Sequence, residues 1–363
     1  MPLHRWRLTV LILSCAAVPL VAQEPARRLT AEDYARAERF LAPNVAPLVS
    51  GTASSPTWLA DGRFWYRRTT PAGSEIVMVD PANAMRTVID KAPEAPAPAA
   101  TSAPPDSVLS PDRRSAAFIR DFNLWVRDIP TGTDRPLTTD GTRDFGYATN
   151  NAGWIKSDAP VLLWSPDSKK IATFQHDSRG VGEMYLVSTN VGTPRLEAWK
   201  YPLPQDKEIF RIHRVVIDVD SGTIVRLQIP PDQHRSTIND HVADGSTFLD
   251  VEWYRDSSHV AFVSSSRDHK EAVFRIGSAS SGEVRTVLRE RVETQFQSGL
   301  AAIGRVNWRV LPASREVLWW SQRDDWGHLY LYDLETGSLK QQITRGEWNV
   351  AELLHVNEQT RTL

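Results

Sequence analysis

Cysteine is nearly absent: the 363-residue sequence holds one, Cys15, against 13 tryptophans and 24 prolines. Cys15 falls in an apolar N-terminal run that reads as removable. The remaining chain then has no thiol for a disulfide, a nucleophile or a metal. Metal patterns are missing as well. There is no His-Glu-x-x-His, and the nine histidines fall singly, as at His213 and His328, so no metal is expected. No glycine-rich loop opens a helix to cradle phosphate, and no cofactor is expected. A Gly-x-Ser-x-Gly elbow is also lacking, so serine catalysis is not encoded in these residues and no catalytic residue is assigned. Basic runs are absent: 42 Lys and Arg are scattered among 44 Asp and Glu, for a net charge of −2, which excludes a nucleic-acid footprint.

One apolar run stands out. Arg5 and Arg7 precede the stretch Leu8 to Leu20, and Leu20-Val21-Ala22 ends it with small residues before Gln23. Residues 1–22 are therefore expected to be a signal peptide, and the protein to be exported to the periplasm or outside the cell. The stretch is short for a membrane span, although an uncleaved anchor stays open. Ile12-Leu13-Ser14-Cys15 only faintly resembles a lipoprotein box, because the apolar run continues past it.

What is abundant is repetition. Trp164-Ser165-Pro166-Asp167-Ser168-Lys169-Lys170-Ile171-Ala172-Thr173-Phe174 reads as strand, tight turn, strand, with Pro166 supplying the φ that a type I turn needs. Weaker copies start at Trp58, Leu109, Trp253 and Val310. A second phrase, two strands around a polar turn ending in glycine, follows most of the first, around Gly132, Gly282 and Gly337. Two such hairpins make a four-stranded antiparallel blade. Pro111 and Pro166 lie 55 positions apart, as do Gly282 and Gly337. The spacing predicts an all-β fold, a β-propeller of four-stranded antiparallel blades. Trp58, Trp164, Trp253 and Trp308 fall at what look like equivalent points and are expected to fill the space between blades.

Taken in order, 23–49 is a helical lead-in. Leu29 to Leu41 predicts a short amphipathic helix with Thr30 as N-cap and Asp33 at the capping-box position, its apolar residues packing on the propeller flank. Residues 50–363 carry the blades. Residues 92–105, alternating Ala and Pro, read as a low-complexity loop. After the second blade, the stretch from Asp144 to Trp154 is polar, aromatic and glycine-rich and has no strand pattern. It is either a solvated crossover or a binding loop. Asp144, Tyr147, Asn150, Asn151 and Trp154 are candidate substrate-binding residues, with Arg179 and Glu183 as charged neighbours from the irregular segment 177–183. The third blade is long, 89 positions from Pro166 to Arg255, which implies an excursion of about one hairpin. About five blades and the start of another are counted, so the ring is expected to be incomplete.

The Trp-Ser-Pro-Asp phrase, the crossing Trp199-Lys200-Tyr201-Pro202, Asp324-Asp325-Trp326-Gly327-His328-Leu329-Tyr330-Leu331-Tyr332 and Thr344-Arg345-Gly346-Glu347-Trp348-Asn349-Val350 together resemble the N-terminal propeller of dipeptidyl peptidase IV and its bacterial relatives in the prolyl oligopeptidase group. The likeness runs over about residues 50–363. It implies an eight-bladed propeller followed by an α/β-hydrolase domain with a Ser-Asp-His triad that releases dipeptides from peptide N-termini. The implied partners are a peptide substrate, that C-terminal hydrolase domain in a full-length protein and a homodimer mate. Better-known members carry a glutamate pair after a tyrosine, which binds the substrate amine. At that place this chain has Tyr147-Ala148-Thr149-Asn150-Asn151, with no carboxylate. The leading expectation is the non-catalytic propeller portion of an exported serine exopeptidase, gating and positioning the peptide. The alternative is a periplasmic binding or scaffold propeller without catalysis; a sugar-processing propeller would need paired acids that are not found.

Overall fold

The structure, a computed structural model, describes residues 29–59, 61–93, 103–149, 157–189, 192–233, 243–244, 247–297 and 306–363. The predicted signal peptide with Cys15, most of the Ala/Pro loop, and Asn150, Asn151 and Trp154 lie outside them. The chain divides into two compact units, residues 1–100 and 101–363.

The first unit starts with a helix, Ala31–Glu38, capped as its sequence predicts. The Thr30 hydroxyl accepts from the Asp33 amide at 3.3 Å, and the Asp33 carboxylate accepts from the Thr30 amide at 3.0 Å. The predicted packing of this helix is not found: none of its residues is buried. Three of its eight residues are alanine, so it has little apolar surface to bury and rests on its cap and the Arg36–Asp33 pair. A four-stranded antiparallel sheet follows, Thr57–Trp58, Phe64–Thr70, Gly73–Asp80 and Met85–Ile89, which forms blade 1.

The second unit holds the other sheets. Blade 2 is Val108–Leu109, Ser115–Arg120, Asn123–Asp128 and Asp134–Pro136. Blade 3 is built on Leu163–Trp164, Lys170–Asp177, Arg211–Asp218 and Ile224–Arg226, with two additions: Phe145–Tyr147 pairs with the second strand and Asp232–Gln233 with the third. Blade 4 is Val251–Trp253, His259–Ser265, Glu271–Ser278 and Val284–Arg291; blade 5 is Arg309–Leu311, Glu316–Ser321, His328–Asp333 and Leu339–Gln342. The predicted excursion of blade 3 is a separate two-stranded ribbon, Glu183–Ser188 against Arg195–Lys200. Tyr185, Leu186, Val187 and Leu196 on it are all more than half exposed.

Blades adhere through apolar faces. Between blades 4 and 5, Phe274 meets Trp308 edge-on at 5.1 Å and Trp319 at 6.2 Å. Between blades 3 and 4 a charge is enclosed. Arg214 bonds Asp232 at 2.6 Å and Asp250 at 2.5 Å, lies over the Phe262 ring at 4.8 Å, and donates to the Val263 carbonyl. Burial works against the cation, yet the two carboxylates more than compensate and raise its pKa.

The repeated phrases account for the register between blades. Arg113, Ser168, Ser257 and Arg315 close the turns between first and second strands, all at φ between 55° and 62°. The turn of one blade then bonds the next. The Asp112 amide donates to the Ser168 hydroxyl at 3.1 Å and the Asp167 amide to the Ser257 hydroxyl at 3.3 Å; after blade 5 the Ser314 amide donates to the carboxylate of Glu358, in the turn bridged by Asn357 and Thr362, at 2.8 Å. The tryptophans add a second link: Trp164 Nε1 donates to Val108 O and Trp253 Nε1 to Leu163 O, each at 3.0 Å. Of the four tryptophans, Trp58 departs from the predicted role, and Trp308 fills it from a different place in the repeat. Trp58 is 59% exposed, since no described sheet precedes blade 1 to receive it. Trp308 is buried but lies out of register. Counting back from the positive-φ residue of each turn, Leu311 holds the place of Trp164 and Trp253, and Trp308 lies three residues earlier. The glycine turns also reach backward. Gly282 and Gly337 have φ near +70°, and a Cβ at either would overlap a backbone carbonyl of the preceding blade, Arg226 O or Val287 O.

Candidate functional site

The predicted binding stretch begins in blade 3. Phe145–Tyr147 aligns antiparallel to the end of the second strand, with Phe145 opposite Asp177, Gly146 opposite His176 and Tyr147 opposite Gln175. The Ser178 amide donates to Asp144 O at 2.8 Å, and its hydroxyl to Asp144 Oδ1 at 3.2 Å. Asp144 is therefore a half-buried carboxylate already engaged at the sheet margin.

Tyr147 is not at the rim. It is 1% exposed, its hydroxyl lies 3.4 Å from an Arg226 guanidinium nitrogen, and Arg226 also bonds Gln175 Oε1. Burial, together with the nearby Asp140 carboxylate, pushes the phenol up to about 12, so it stays protonated. Phe145, two residues earlier, is only half-buried. Arg179 covers its ring at 3.9 Å, and His213 meets it edge-on at 5.4 Å.

Arg179 is held by a fork. Its Nε and Nη2 donate to the two oxygens of Asp177 at 2.9 and 2.7 Å, and its backbone amide donates to Asp177 Oδ1 at 3.1 Å. Burial alone would raise the Asp177 pKa; the bonds from Arg179 outweigh it, and the carboxyl titrates below its ordinary range. His213 Nε2 stands 3.7 Å from Asp177. Burial first, and the Arg226 charge second, disfavour the imidazolium. Glu183 lies elsewhere: it opens the ribbon, is exposed, and accepts from the Tyr185 hydroxyl at 2.9 Å.

The structure thus gathers Asp144, Phe145, Asp177, Arg179 and His213 at one corner of blade 3, buries Tyr147 behind it and sets Glu183 on the ribbon. Phe145, Asp177 and His213 were missed as functional residues. Phe145 and Asp177 lay within the singled-out stretches, but His213 comes from a strand 34 positions after Arg179 and carries no local signal. Among the described residues no group of three His, Cys, Asp or Glu could hold a metal, and no helix is long and apolar enough to cross a membrane.

Consecutive four-stranded antiparallel blades, the third enlarged, define the class of β-propeller domains. A family model described as "Dipeptidyl peptidase IV (DPP IV) N-terminal region" matches residues 66–363, and the chain belongs to that family. Among solved structures it is similar to dipeptidyl peptidase 4 of Porphyromonas gingivalis, with a TM-score of 0.52 and 16% identity over 84% of this chain and 41% of that one. It is also similar to a protein of Bacteroides ovatus titled a dipeptidyl aminopeptidase IV, with a TM-score of 0.53 and 16% identity over 81% of this chain and 40% of that one. The chain spans about two-fifths of the length of these structures.

Proposed function

We propose that this chain is the propeller portion of an exported serine exopeptidase that removes dipeptides from peptide N-termini. A hydrolase domain would supply the triad, and the propeller would gate the peptide and position its end. The observation that carries this reading is membership of the family over residues 66–363. Export rests on the pattern of residues 1–22. The domain reading is 1–22 signal, 23–49 lead-in and 50–363 propeller.

The binding end in this reading is the segment leaving the sheet after Tyr147, with Asn150, Asn151 and Trp154 on it and Asp144 beside it. Neutral amides hold an ammonium less strongly than a carboxylate pair, so the free amine would be bound more weakly than where two glutamates are present. The test is hydrolysis of Xaa-Pro p-nitroanilides by the full-length gene product, with an N-acetylated substrate alongside. Release from the free-amine substrate alone is expected; a folded product that cleaves neither sinks the reading. The lack of a carboxylate in Tyr147-Ala148-Thr149-Asn150-Asn151 favours the second reading, a binding or scaffold propeller, which would instead yield a stable protein partner.

A second copy is a further proposed partner, through the exposed ribbon. Two-fold antiparallel pairing of Glu183–Ser188 with itself would set Tyr185 opposite Leu186 and Met184 opposite Val187, free of like charges, whereas Arg195–Lys200 would set Arg195 against Lys200. Light scattering of the chain and of Leu186→Lys decides it: a dimer that the substitution dissolves is expected, and a wild-type monomer removes it.

A further inference from the structure

Arg179 looks, by its charge and place, like a group waiting for a peptide. Its contacts point elsewhere. We infer that Arg179 is a positioning residue: with Asp177 and Phe145 it clamps the three-residue strand Phe145–Tyr147 to blade 3, and so sets where the chain leaves the sheet at Ala148.

Three observations carry this. First, the guanidinium is occupied on two sides. Nε and Nη2 are spent on Asp177, and the planar face lies on the Phe145 ring at 3.9 Å. A peptide carboxylate would have to displace Asp177 to gain the same fork. Second, the clamp closes across the sheet. Phe145 and Asp177 are cross-strand partners, so the arginine bonded to one and stacked on the other ties the ends of both strands together. His213 abuts the same ring and stands within 3.7 Å of Asp177, filling the remaining side. Third, the strand so held is the root of the segment that departs. The Ala148 amide donates to Phe174 O and the Val161 amide to Ala148 O, each at 2.8 Å, with Ala148 at φ 55°. Departure and return therefore meet at one residue, next to the clamp. A strand of three residues has few ladder bonds of its own, and side-chain fixation decides whether its position is unique.

The consequence for peptide selection rests on the proposed binding role of the segment after Tyr147; the clamp itself does not. The test is hydrogen exchange on the whole chain, read at the amides of Tyr147, Ala148, Val161 and Ser178, with Glu316–Ser321 in blade 5 as reference. Arg179→Ala is expected to speed the four amides about tenfold, a local opening, and to leave the reference unchanged. Phe145→Leu should reproduce the effect, Phe145→Tyr should restore protection by keeping the ring, and Arg179→Lys should not rescue, because lysine has neither fork nor flat face. The double variant should exchange no faster than either single one. Unchanged amides in Arg179→Ala, or additive effects in the double variant, would overturn the clamp. Binding of alanyl-proline amide, followed by NMR, is the second arm. Arg179→Ala and Phe145→Leu are expected to weaken it by the same, non-additive factor. Weaker binding in Arg179→Ala with unaltered exchange would make Arg179 a direct peptide contact and refute positioning. If the wild-type chain ignores the probe, the proposed function fails and exchange alone decides the clamp.

Discussion

The two ends of the blades are built on different principles. At the end carrying the Ser-Pro-Asp and glycine turns, every blade of the second unit uses variants of one device: a positive-φ turn residue, a polar side chain bonded to the local backbone, and a contact reaching the neighbouring blade. At the opposite end the blades diverge, although blade 4 repeats the serine–aspartate turn at Ser266 and Asp268 with His269 at φ 56°. Blade 3 has the Asp177–Arg179–Phe145 corner, while in blade 5 the loop at Gly327 is zipped to Asn349 and Val350. Uniformity marks the end that sets register between blades. Individuality marks the end available for chemistry.

The largest expected effect strikes the uniform end. Gly337→Ala combines a left-handed φ with overlap on Val287 O and should cost on the order of 3 kcal/mol, whereas Gly132→Ala, at the same φ but with open space around it, should cost about 1 kcal/mol. Denaturant melts of the two variants measure the difference; equal losses would show that the turns do not lean on neighbouring blades. Acid comes next. Asp112, Asp218 and Asp333 titrate below the ordinary 3.8, through the Ser110 hydroxyl, the Ser221 amide and the Thr336 amide respectively. A depressed folded pKa gives stability that is complete above the unfolded value and is lost as pH falls through the folded one. The melting temperature should therefore be flat from pH 7 to about 5 and drop below about 4. Replacing Asp112 and Asp333 by Asn should flatten that drop.

Much of this end was legible in the sequence, because a turn is encoded by adjacent residues: Pro166, Asp167 and Ser168 state their geometry locally. The capping box of Thr30 and Asp33 and the ribbon implied by the length of blade 3 were readable for the same reason. What joins distant positions was not. Arg214 finds Asp250 36 positions later, Glu290 accepts from Trp319 Nε1 at 2.6 Å across a seam, and no local pattern announces either. Trp308 misled by composition, since a tryptophan three residues off the repeat looks like a copy until the backbone is traced. At the site, the aromatic and polar character of the stretch from Asp144 was readable, but which of its side chains turn inward was not. Tyr147 is buried and Phe145 is covered by an arginine that seemed free.

Smaller effects sharpen the contrast. Trp164→Phe keeps a six-membered aromatic ring but removes the pyrrole half of the buried indole and its bond to Val108 O, so a loss of about 2 kcal/mol is expected in thermal melts. Glu183→Gln, on the exposed ribbon, should stay within about 0.5 kcal/mol of wild type by the same measurement. A larger loss there would mean that the variable end also carries stability.

The backward lean of Gly282 and Gly337 onto the blades before them has a consequence for how the molecule comes apart. Each turn can adopt its packed form only when its predecessor's outer strand is in place, so the blades behave as a linear array coupled between nearest neighbours. A lesion at one seam should then loosen the two blades that share it and fade beyond them. Hydrogen exchange would register this as a gradient of opening energies along the chain, not one global transition.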